Sequence, residues 1–286
     1  MKHKICFLLS FLAIISFFSI ANNMKVVNAQ ITVSAQAAAL MNADTGEFLF
    51  TKNPNQKLPI ASLTKVMTAI LAIESGDLDA EVVFSEAAAN QPPSKIFLQA
   101  GDSLTLRDML YALLLESGND VAYAIAEYIG GNVDNFVRLM NEKAQSLGMT
   151  NTTFTNPSGL SEPAPNISTA TDLARLMRYA MQNDTFRGIA STKTRQTTSK
   201  LGIPLNFENK HRLVQQVEYV IAGKTGFTQA SGRTLISYAE ENNIPLIAVT
   251  LNDPNDWVDH LNMFKYGYSQ YGIDVPTPEI RGIEEE

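Results

Sequence analysis

Serine, lysine and asparagine side chains are concentrated in three short motifs that could carry out acyl transfer together. The motifs are Ser62-Leu63-Thr64-Lys65, Ser117-Gly118-Asn119 and Lys224-Thr225-Gly226, and their first residues are separated by 55 and then 107 positions. A serine hydroxyl is a weak nucleophile until a neighbouring base accepts its proton. Histidine occurs at three positions, 3, 211 and 260, so lysine is the better candidate for that base.

Lysine acts as a base at neutral pH only when its pKa is lowered. The ordinary value of about 10.4 must fall towards about 7 or 8 through burial or a nearby cation. Lys224 is the candidate cation for Lys65. We therefore predict that Ser62 attacks an amide carbonyl, that Lys65 accepts its proton, and that Ser117 relays a proton to the leaving amine.

The remaining motif residues are predicted to bind and orient the substrate. Asn119 would orient both the substrate and Lys65. A lysine next to a threonine hydroxyl would hold a substrate carboxylate, and flanking glycines would let the substrate backbone pair with this segment as an added strand. The backbone amides of Ser62 and Phe227 would form an oxyanion hole. The scheme requires no metal ion and no other cofactor. The predicted substrate-binding residues are Lys224, Thr225, Gly226 and Phe227.

The first two motifs are placed on helices by their surroundings. Apolar residues after Ser62 follow a helical period up to Gly76, which puts Ser62 at a helix N-terminus, where unpaired amides could stabilise an oxyanion. A serine there is also a common N-cap. Two helical stretches, 104–115 and 121–129, flank the polar cluster 116–120, which predicts a loop or a capped helix junction.

The third motif lies among predicted strands. It follows the apolar run 220–222 and precedes the strand-like segments 234–238 and 244–251, so Lys224 is predicted to lie on or beside a strand edge. The alternative is a glycine-rich turn with a solvated lysine.

Strand patterns cluster at both ends of the chain and helical patterns in the middle. The segments 37–41 and 47–51 predict a hairpin. Further helices are predicted at 135–147, 170–181 and 257–268. We therefore expect an α+β fold in which an antiparallel sheet from both chain ends is flanked by helices, with a helical lobe inserted and the site in the cleft between them.

The first 29 residues have the composition of a secretory signal peptide. Two lysines precede an apolar run from Ile5 to Ile20, and Val27-Asn28-Ala29 resembles a cleavage site. The run of 16 residues is short for a membrane span, which needs about 20. We predict export to a periplasmic or extracellular location facing the cell wall, with the catalytic domain at 30–275 and a short polar tail at 276–286.

Charge and cysteine content exclude two classes of function. Cleavage after residue 29 removes three lysines and no acidic residue, so the formal charge changes from −7 to −10. This acidic balance excludes a nucleic-acid partner. Cleavage also removes Cys6, the one cysteine of the chain, so the mature protein would hold neither a disulfide nor a thiolate metal site.

Five segments carry a resemblance to a known family: 59–68, Ser117-Gly118-Asn119-Asp120, 140–160, 168–172 and 223–228. They resemble the low-molecular-weight penicillin-binding D-alanyl-D-alanine carboxypeptidases, peptidase family S11. The resemblance implies a β-lactamase/transpeptidase-like fold and hydrolysis of the terminal D-alanine from peptidoglycan stem peptides ending in D-Ala-D-Ala, through an acyl-serine. It also implies covalent inhibition by penicillins and other β-lactam antibiotics.

Two features depart from the family pattern. Many relatives carry a second β-rich domain and a C-terminal amphipathic membrane anchor; no anchor is evident in this sequence, and we expect none. In addition, Asn209-Lys210-His211-Arg212-Leu213 stands where relatives often have Asn-Arg-Asn before a leucine. The sequence therefore leaves open whether Lys210 or Arg212 supplies a second cation for the substrate carboxylate.

Two alternative functions are compatible with the same motifs. A serine β-lactamase would use a glutamate to activate the deacylating water, and Glu162-Pro163-Ala164-Pro165-Asn166 has the Glu-x-x-x-Asn spacing of those enzymes. Against this alternative, Gly118 stands where those enzymes typically carry aspartate. A non-catalytic wall-binding protein is the second alternative, although all of the motif residues are present.

Overall fold

A five-stranded antiparallel sheet is built from both ends of the described chain. The computed structural model describes residues 31–281; the predicted signal peptide at 1–29 and the last residues of the predicted tail, 282–286, lie outside the described residues. The strands in chain order are β1 (Ala37–Asn42), β2 (Phe48–Lys52), β3 (Leu58–Pro59), β4 (Glu81–Val83), β5 (Ser103–Thr105), β6 (Ile167–Ser168), β7 (Thr194–Thr198), β8 (Pro204–Glu208), β9 (Val220–Thr228), β10 (Gly232–Glu241) and β11 (Ile244–Leu251). The large sheet has the order β2-β1-β11-β10-β9, and β9 forms one of its edges.

Helices fill the middle of the chain and close its C-terminal part. In chain order they are α1 (Lys65–Ser75), α2 (Glu86–Ala89), α3 (Leu106–Tyr111), α4 (Asn119–Gly130), α5 (Val133–Ser146), α6 (Ala170–Met181), α7 (Asp184–Ala190), α8 (Arg212–Gln216) and α9 (Asp256–Ser269). A 3₁₀ turn over Ala61–Thr64 leads into α1, and a π-helical turn over Ala112–Glu116 follows α3. Within residues 31–281, no helix has both the length and the apolar character that a membrane span requires.

The predicted α+β arrangement is confirmed. The hairpin predicted near the start of the mature chain is formed by β1 and β2, and β9, β10 and β11 complete the sheet from the other end. The helices predicted at 135–147, 170–181 and 257–268 correspond to α5, α6 and α9. The sequence patterns missed the β7–β8 hairpin, because its first strand reads Thr-Arg-Gln-Thr-Thr and has no apolar face.

The connection between α3 and α4 is shorter than the predicted loop over 116–120. Ser117 and Gly118 alone separate the π turn from α4, which begins at Asn119. The loop prediction is therefore wrong for Asn119 and Asp120. Both side chains are buried and hydrogen-bonded to the segment 92–97. These tertiary contacts allow Asn119 and Asp120 to begin a helix, although their polarity favours a loop.

Both faces of the sheet are covered by helices. All residues of β1 are buried. On one face Ala39 and Met41 join the main core, which they share with α1 and α6. On the other face Leu40 and Leu246 pack on Gly267 of α9, where an added methyl group would lie 2.8 Å from each leucine side chain. The sheet is therefore a fixed middle layer, as expected for a layered α+β domain.

Helix α1 runs through the centre of the helical lobe and carries Lys65 at its first position. Its residues from Lys65 to Ala72 are all buried. It contacts α4 and α5 within the lobe and α6, which lies on the sheet. Each buried leucine or isoleucine side chain contributes about 1.5–3 kcal/mol, so this packing fixes the start of α1 relative to the sheet.

The described residues after position 275 also pack on the fold. The Tyr219 hydroxyl donates to the Pro276 carbonyl at 3.0 Å, and the Arg281 amide donates to Gln216 Oε1 at 3.0 Å. Ile280 is buried. Residues 276–281 therefore lie against α8 and the strand that follows it.

We expect alanine at Gly130 to destabilise the helical lobe. Gly130 ends α4, and a methyl group there would lie 2.7 Å from the backbone nitrogen of Phe136 in α5 and 3.0 Å from its Cα. Backbone atoms cannot yield without repacking the two helices, so the free energy of unfolding should fall by about 1–3 kcal/mol. Urea denaturation followed by circular dichroism measures the change.

Gly188→Ala in α7 is the matched control. Gly188 is exposed, and a methyl group there would meet no atom within 4 Å. Alanine should therefore stabilise this helix by up to about 1 kcal/mol. Equal effects of the two substitutions would contradict the close approach of α4 and α5.

Candidate active site

Ser62 lies on the 3₁₀ turn that precedes α1, with its side chain partly exposed. Ala61, the residue before it, has a left-handed backbone with φ of 46°, a conformation that is strained for a residue with a side chain. The Ser62 hydroxyl caps neither the turn nor α1. The N-cap explanation for this serine is therefore wrong, and its hydroxyl remains accessible for chemistry.

The Lys65 side chain is fully buried next to Ser62 and is surrounded by oxygen atoms. Its Nζ lies 2.9 Å from Ser62 Oγ, 2.7 Å from Asn119 Oδ1 and 2.7 Å from the carbonyl oxygen of Ser158. The amide oxygen and the backbone carbonyl can only accept hydrogen bonds. When the amine is neutral, its two N–H bonds therefore point at Asn119 and Ser158, and its lone pair faces Ser62.

The surroundings of Lys65 favour this neutral amine. Burial is the largest cause that lowers the pKa of Lys65 well below its ordinary value, and the positive charge of Lys224 lowers it further. The Asp120 carboxylate acts in the opposite direction. Lys224 therefore has the predicted effect on Lys65, but as the second cause after burial.

The second motif begins in the left-handed region and ends on a helix. Ser117 follows the π turn with φ of 64°, is 8% exposed, and makes no side-chain hydrogen bond to any part of the chain that the structure describes. Asn119 is the first residue of α4. Its Nδ2 donates to the Pro92 carbonyl at 3.0 Å and its backbone amide donates to the Ser94 carbonyl at 2.7 Å. These bonds leave Oδ1 directed at Lys65.

Asp120 fixes the segment 92–97 against the start of α4. Its Oδ2 accepts hydrogen bonds from the backbone amides of Ile96 at 2.9 Å and Phe97 at 3.2 Å. Burial raises the pKa of this carboxyl group, against the effect of the amide bonds. Asp120 thus holds the segment that in turn orients Asn119.

The third motif lies on the edge strand β9, as predicted. Lys224 is 2% exposed, pairs across the sheet with Ile236, and donates from Nζ to the Thr225 carbonyl at 2.9 Å. Burial first, and the charge of Lys210 second, lower the pKa of Lys224 to about 7. The alternative of a solvated lysine in a glycine turn is therefore wrong. Lys210, one of the two open candidates for a second cation, carries a charge that acts on Lys224.

Strand β9 lies directly against the turn that carries Ser62. A methyl group on Gly226 would lie 3.0 Å from the Ser62 amide nitrogen and 2.5 Å from Thr234 Oγ1. The Thr234 hydroxyl donates to the Ile60 carbonyl at 3.2 Å. Glycine at 226 is thus required for the close approach of the two segments. Next to it Thr225 is partly exposed, and the Phe227 side chain is 67% exposed.

The segment 156–166 contributes to the site in a way that its sequence did not predict. Ser158 supplies a backbone carbonyl to Lys65, and the Pro157 carbonyl accepts from the Thr68 hydroxyl at 2.6 Å. Asn166 donates from Nδ2 to Thr64 Oγ1 at 2.7 Å. The segment is therefore tied at both ends to the elements around Ser62.

Gly159 is the residue whose type could have indicated that this segment lies close to another backbone. It has φ of 91°, and a methyl group there would lie 1.9 Å from the Ala61 carbonyl oxygen. Only glycine fits so close to another backbone. The glycine follows Pro157-Ser158 in the sequence, a pattern that indicates a turn but does not reveal what the turn contacts.

Glu162, the residue on which the β-lactamase alternative depends, is exposed to solvent. Asn166, its partner in the Glu-x-x-x-Asn spacing, is buried, and its Oδ1 accepts from the Thr155 amide at 2.7 Å. Its side chain therefore supports the segment. This arrangement does not favour a deacylating role for Glu162.

The structure thus brings the three motifs to one place. Hydrogen bonds join Ser62, Lys65 and Asn119 directly, and Ser117 lies two residues before Asn119. The strand that carries Lys224, Thr225 and Phe227 packs on the turn of Ser62 through Gly226. A reachable hydroxyl, a buried amine and a second cation form a site that is suited to acyl transfer.

Comparison with known proteins agrees with this geometry. A family model described as D-alanyl-D-alanine carboxypeptidase matches residues 23–255. The D-alanyl-D-alanine carboxypeptidase DacF of Bacillus subtilis is 35% identical over 250 residues, which cover 83% of this chain and 63% of that protein. DacB2 of Mycobacterium tuberculosis, a D-alanyl-D-alanine carboxypeptidase by name, is 34% identical over 242 residues, which cover 82% of each chain.

Solved structures give the same result. The crystal structure of the Streptomyces K15 DD-transpeptidase matches with a TM-score of 0.80 at 30% identity, over 84% of this chain and 99% of that one. A D-alanyl-D-alanine carboxypeptidase from Mycobacterium tuberculosis matches with a TM-score of 0.79 at 31% identity, over 87% of this chain and 94% of that one. The expected transpeptidase-like fold is therefore confirmed. The chain belongs to the D-alanyl-D-alanine carboxypeptidase family, peptidase family S11.

Proposed function

We propose that this protein hydrolyses the terminal D-alanine from peptidoglycan stem peptides that end in D-Ala-D-Ala, through an acyl-enzyme on Ser62. Lys65 is the base that accepts the serine proton. The observation that carries the proposal is the buried Lys65 amine, 2.9 Å from Ser62 Oγ, with Asn119 and Ser158 accepting its remaining hydrogen bonds. This arrangement leaves the amine one direction in which to accept a proton, and that direction is the nucleophile.

The reaction proceeds through two acyl transfers. Ser62 Oγ attacks the carbonyl of the penultimate D-alanine while its proton moves to Lys65 Nζ. The amine of the terminal D-alanine leaves with this proton, which passes from Lys65 Nζ through the Ser117 hydroxyl and leaves Lys65 neutral again. The Ser117 hydroxyl makes no competing bond within the described residues and so stays available. Water then attacks the acyl-serine, with Lys65 again accepting a proton, and Ser62 is restored.

The edge strand β9 is proposed to bind the substrate. Lys224 and Thr225 hold the terminal carboxylate, and the free side of the strand pairs with the peptide backbone. The amides of Ser62 and Phe227 form the oxyanion hole, in which each donor contributes about 3 kcal/mol to the transition state. The close packing of Gly226 on the Ser62 amide supports this assignment, because it keeps the two amides near one another.

The same site would react with β-lactam antibiotics. Their strained amide and carboxylate present to Ser62 and Lys224 the groups that a D-Ala-D-Ala terminus presents. The acyl-enzyme would persist, because the leaving nitrogen of an opened β-lactam ring stays attached to the acyl group and hinders the approach of water to it. Exposure of Glu162 supports this expectation.

We further propose that the protein acts outside the cytoplasmic membrane. Its substrate is part of the cell wall, and residues 1–29 have the composition of a signal peptide. The mature formal charge of −10 adds no attraction to anionic membrane lipids. N-terminal sequencing of the protein from an expressing cell tests the cleavage after Ala29.

Ser62→Ala should abolish D-alanine release. Loss of the nucleophile should lower the rate by about 10⁴-fold or more, because no other group can form the acyl-enzyme. The hydrolysis rate is measured as the release of D-alanine from a peptide ending in D-Ala-D-Ala. Ser161→Ala is the matched control, since its buried hydroxyl has no hydrogen-bond partner among the described residues. Equal release by wild type and Ser62→Ala would remove Ser62 from the mechanism, whereas no release by either protein would favour a non-catalytic wall-binding protein.

The penicillin adduct on Ser62 should persist for many minutes. Glu162 is exposed, so Glu162→Gln should leave the lifetime of the adduct unchanged. Intact-mass spectrometry after a short pulse of penicillin measures the lifetime for both proteins. Rapid loss of the adduct with drug hydrolysis, abolished in Glu162→Gln, would establish the β-lactamase alternative.

Lys224 should impose an alkaline limit on substrate binding. Its pKa of about 7 is lowered from the ordinary value, so its positive charge is lost as pH rises through about 7. The kcat/KM for carboxylate substrates should therefore fall above this pH, whereas kcat should fall at higher pH, because a bound carboxylate raises the pKa of Lys224.

Lys224→Arg separates this effect from other titrations. Arginine keeps its positive charge throughout the pH range of the assay. The acylation rate of Lys224→Arg should therefore not fall at alkaline pH, even if it is lower overall. Rates of Ser62 acylation by penicillin between about pH 5 and about pH 10 give both profiles. The same alkaline limit in wild type and Lys224→Arg would exclude Lys224 as its origin.

A further inference from the structure

A buried chain of hydrogen bonds lies directly behind the strand that carries Lys224. His211 Nε2 lies 2.8 Å from Ser237 Oγ, and the same oxygen lies 2.8 Å from His260 Nδ1. His260 Nε2 lies 3.2 Å from Thr250 Oγ1. All four residues are at most 1% exposed. We term them the histidine network; they have no part in the acyl-transfer scheme above.

The ring of His211 is fitted against β9 at the position before Lys224. Gly223 pairs across the sheet with Ser237. A methyl group on Gly223 would lie 2.4 Å from His211 Nε2, so the imidazole occupies the space that a side chain would need. The Trp257 ring packs against His211 with a centroid distance of 5.3 Å and an angle of 76°. His211 is therefore held between the edge strand and α9.

The hydrogen bonds of the network fit one arrangement of protons. The Val214 amide donates to His211 Nδ1 at 3.3 Å, so this nitrogen is unprotonated and Nε2–H donates to Ser237 Oγ. The Ser237 hydroxyl then donates to His260 Nδ1, and His260 Nε2–H donates to Thr250 Oγ1. In this arrangement both imidazoles are neutral, and every polar side-chain atom of His211, Ser237 and His260 has a hydrogen-bond partner.

We propose that the histidine network is a positioning device for Lys224. Two neutral imidazoles, held in one orientation by the Ser237 hydroxyl, support the backbone of β9 at Gly223 and so set where the Lys224 amine meets the substrate carboxylate. The proposal rests on the proposed function in taking that carboxylate as the ligand of Lys224. His211, Ser237 and His260 are positioning residues that act through Lys224.

The electrostatic surroundings of His211 and His260 favour neutral imidazole rings. Burial lowers the pKa of His211 to about 3, although a hydrogen bond to the Ile236 backbone acts in the opposite direction, and the charge of Lys224 lowers it further. Burial also lowers the pKa of His260 well below its ordinary value. Lys224 is the charged group that acts on His211 from β9, whereas β10 and α9 face it with Ser237, Trp257 and His260. An imidazolium here would repel Lys224 and would set an N–H against the Val214 amide.

Ser237→Ala tests the proposal by separating binding of the carboxylate from chemistry at Ser62. The substitution removes the oxygen that joins the two rings. We compare acylation of Ser62 by penicillin and by penicillin methyl ester, which lacks the free carboxylate. The preference for the free acid should fall by about tenfold or more, because small displacements of a binding group have large effects on rate. The rate with the ester should stay within about twofold of wild type.

Two further variants distinguish positioning from general weakening of the fold. Ser103→Ala removes another buried serine hydroxyl, which donates to Glu81 Oε2 at 2.6 Å in the helical lobe; it should leave the preference unchanged. In a Lys224→Ala background, Ser237→Ala should cause no further loss, since residues that act through one group are not additive. Parallel loss of both acylation rates in Ser237→Ala, or additive losses with Lys224→Ala, would overturn the proposal.

A measurement on the unmodified full chain tests the same inference without any variant. Nitrogen-15 NMR of the imidazoles should show His211 and His260 neutral and protonated at Nε2 from about pH 5 to about pH 8. Titration of either ring in this range would overturn the proposal. Failure of the proposed function is distinguishable, because it would appear as a wild-type protein that forms the penicillin adduct yet releases no D-alanine.

Discussion

The burial of the Lys65 amine behind a serine hydroxyl is the constraint on which the rest of the structure depends. A buried amine without partners is unfavourable by several kcal/mol. Here its partners come from the turn of Ser62, from the start of α4 and from the segment around Ser158. Within the described chain no carboxylate contacts it, so the lysine is not held permanently charged. The fold supplies acceptors without a counter-ion, and that combination suits Lys65 to the proposed role of base.

Meeting this constraint requires three segments to approach one atom, and the backbone is unusual in each of them. Ala61, Ser117 and Gly159 all have positive φ. Ala61 and Gly159 each stand next to a residue that contacts Lys65, and Ser117 is itself proposed to act with Lys65. Such conformations persist only when surrounding packing determines them. The buried α1 and the covered sheet provide that packing, which explains why a small site needs a large, well-filled core.

The motifs and the class of fold could be predicted from the sequence, because a Ser-x-x-Lys before a helical period and a lysine between glycines have direct structural consequences. The terminal strands could also be predicted from short apolar runs bounded by turn residues. The carbonyl of Ser158 could not be found this way, since every residue has a carbonyl and side-chain type does not report where it points. The same holds for Asn119 and Asp120, whose polarity indicates a loop until their contacts with the segment 92–97 are known.

The proposed mechanism requires Lys65 and Lys224 to differ in charge at the same pH, and the surroundings of the two lysines differ. Lys65 is lined by acceptors and must be neutral to accept a proton, whereas Lys224 faces the proposed carboxylate and must be charged to bind it. A bound carboxylate would neutralise the effect of Lys224 on Lys65, so a base that depended on its neighbour's charge would be lost when substrate binds. Because burial is the larger cause of the lowered pKa of Lys65, and a bound substrate excludes more water, the base persists in the complex where it is needed.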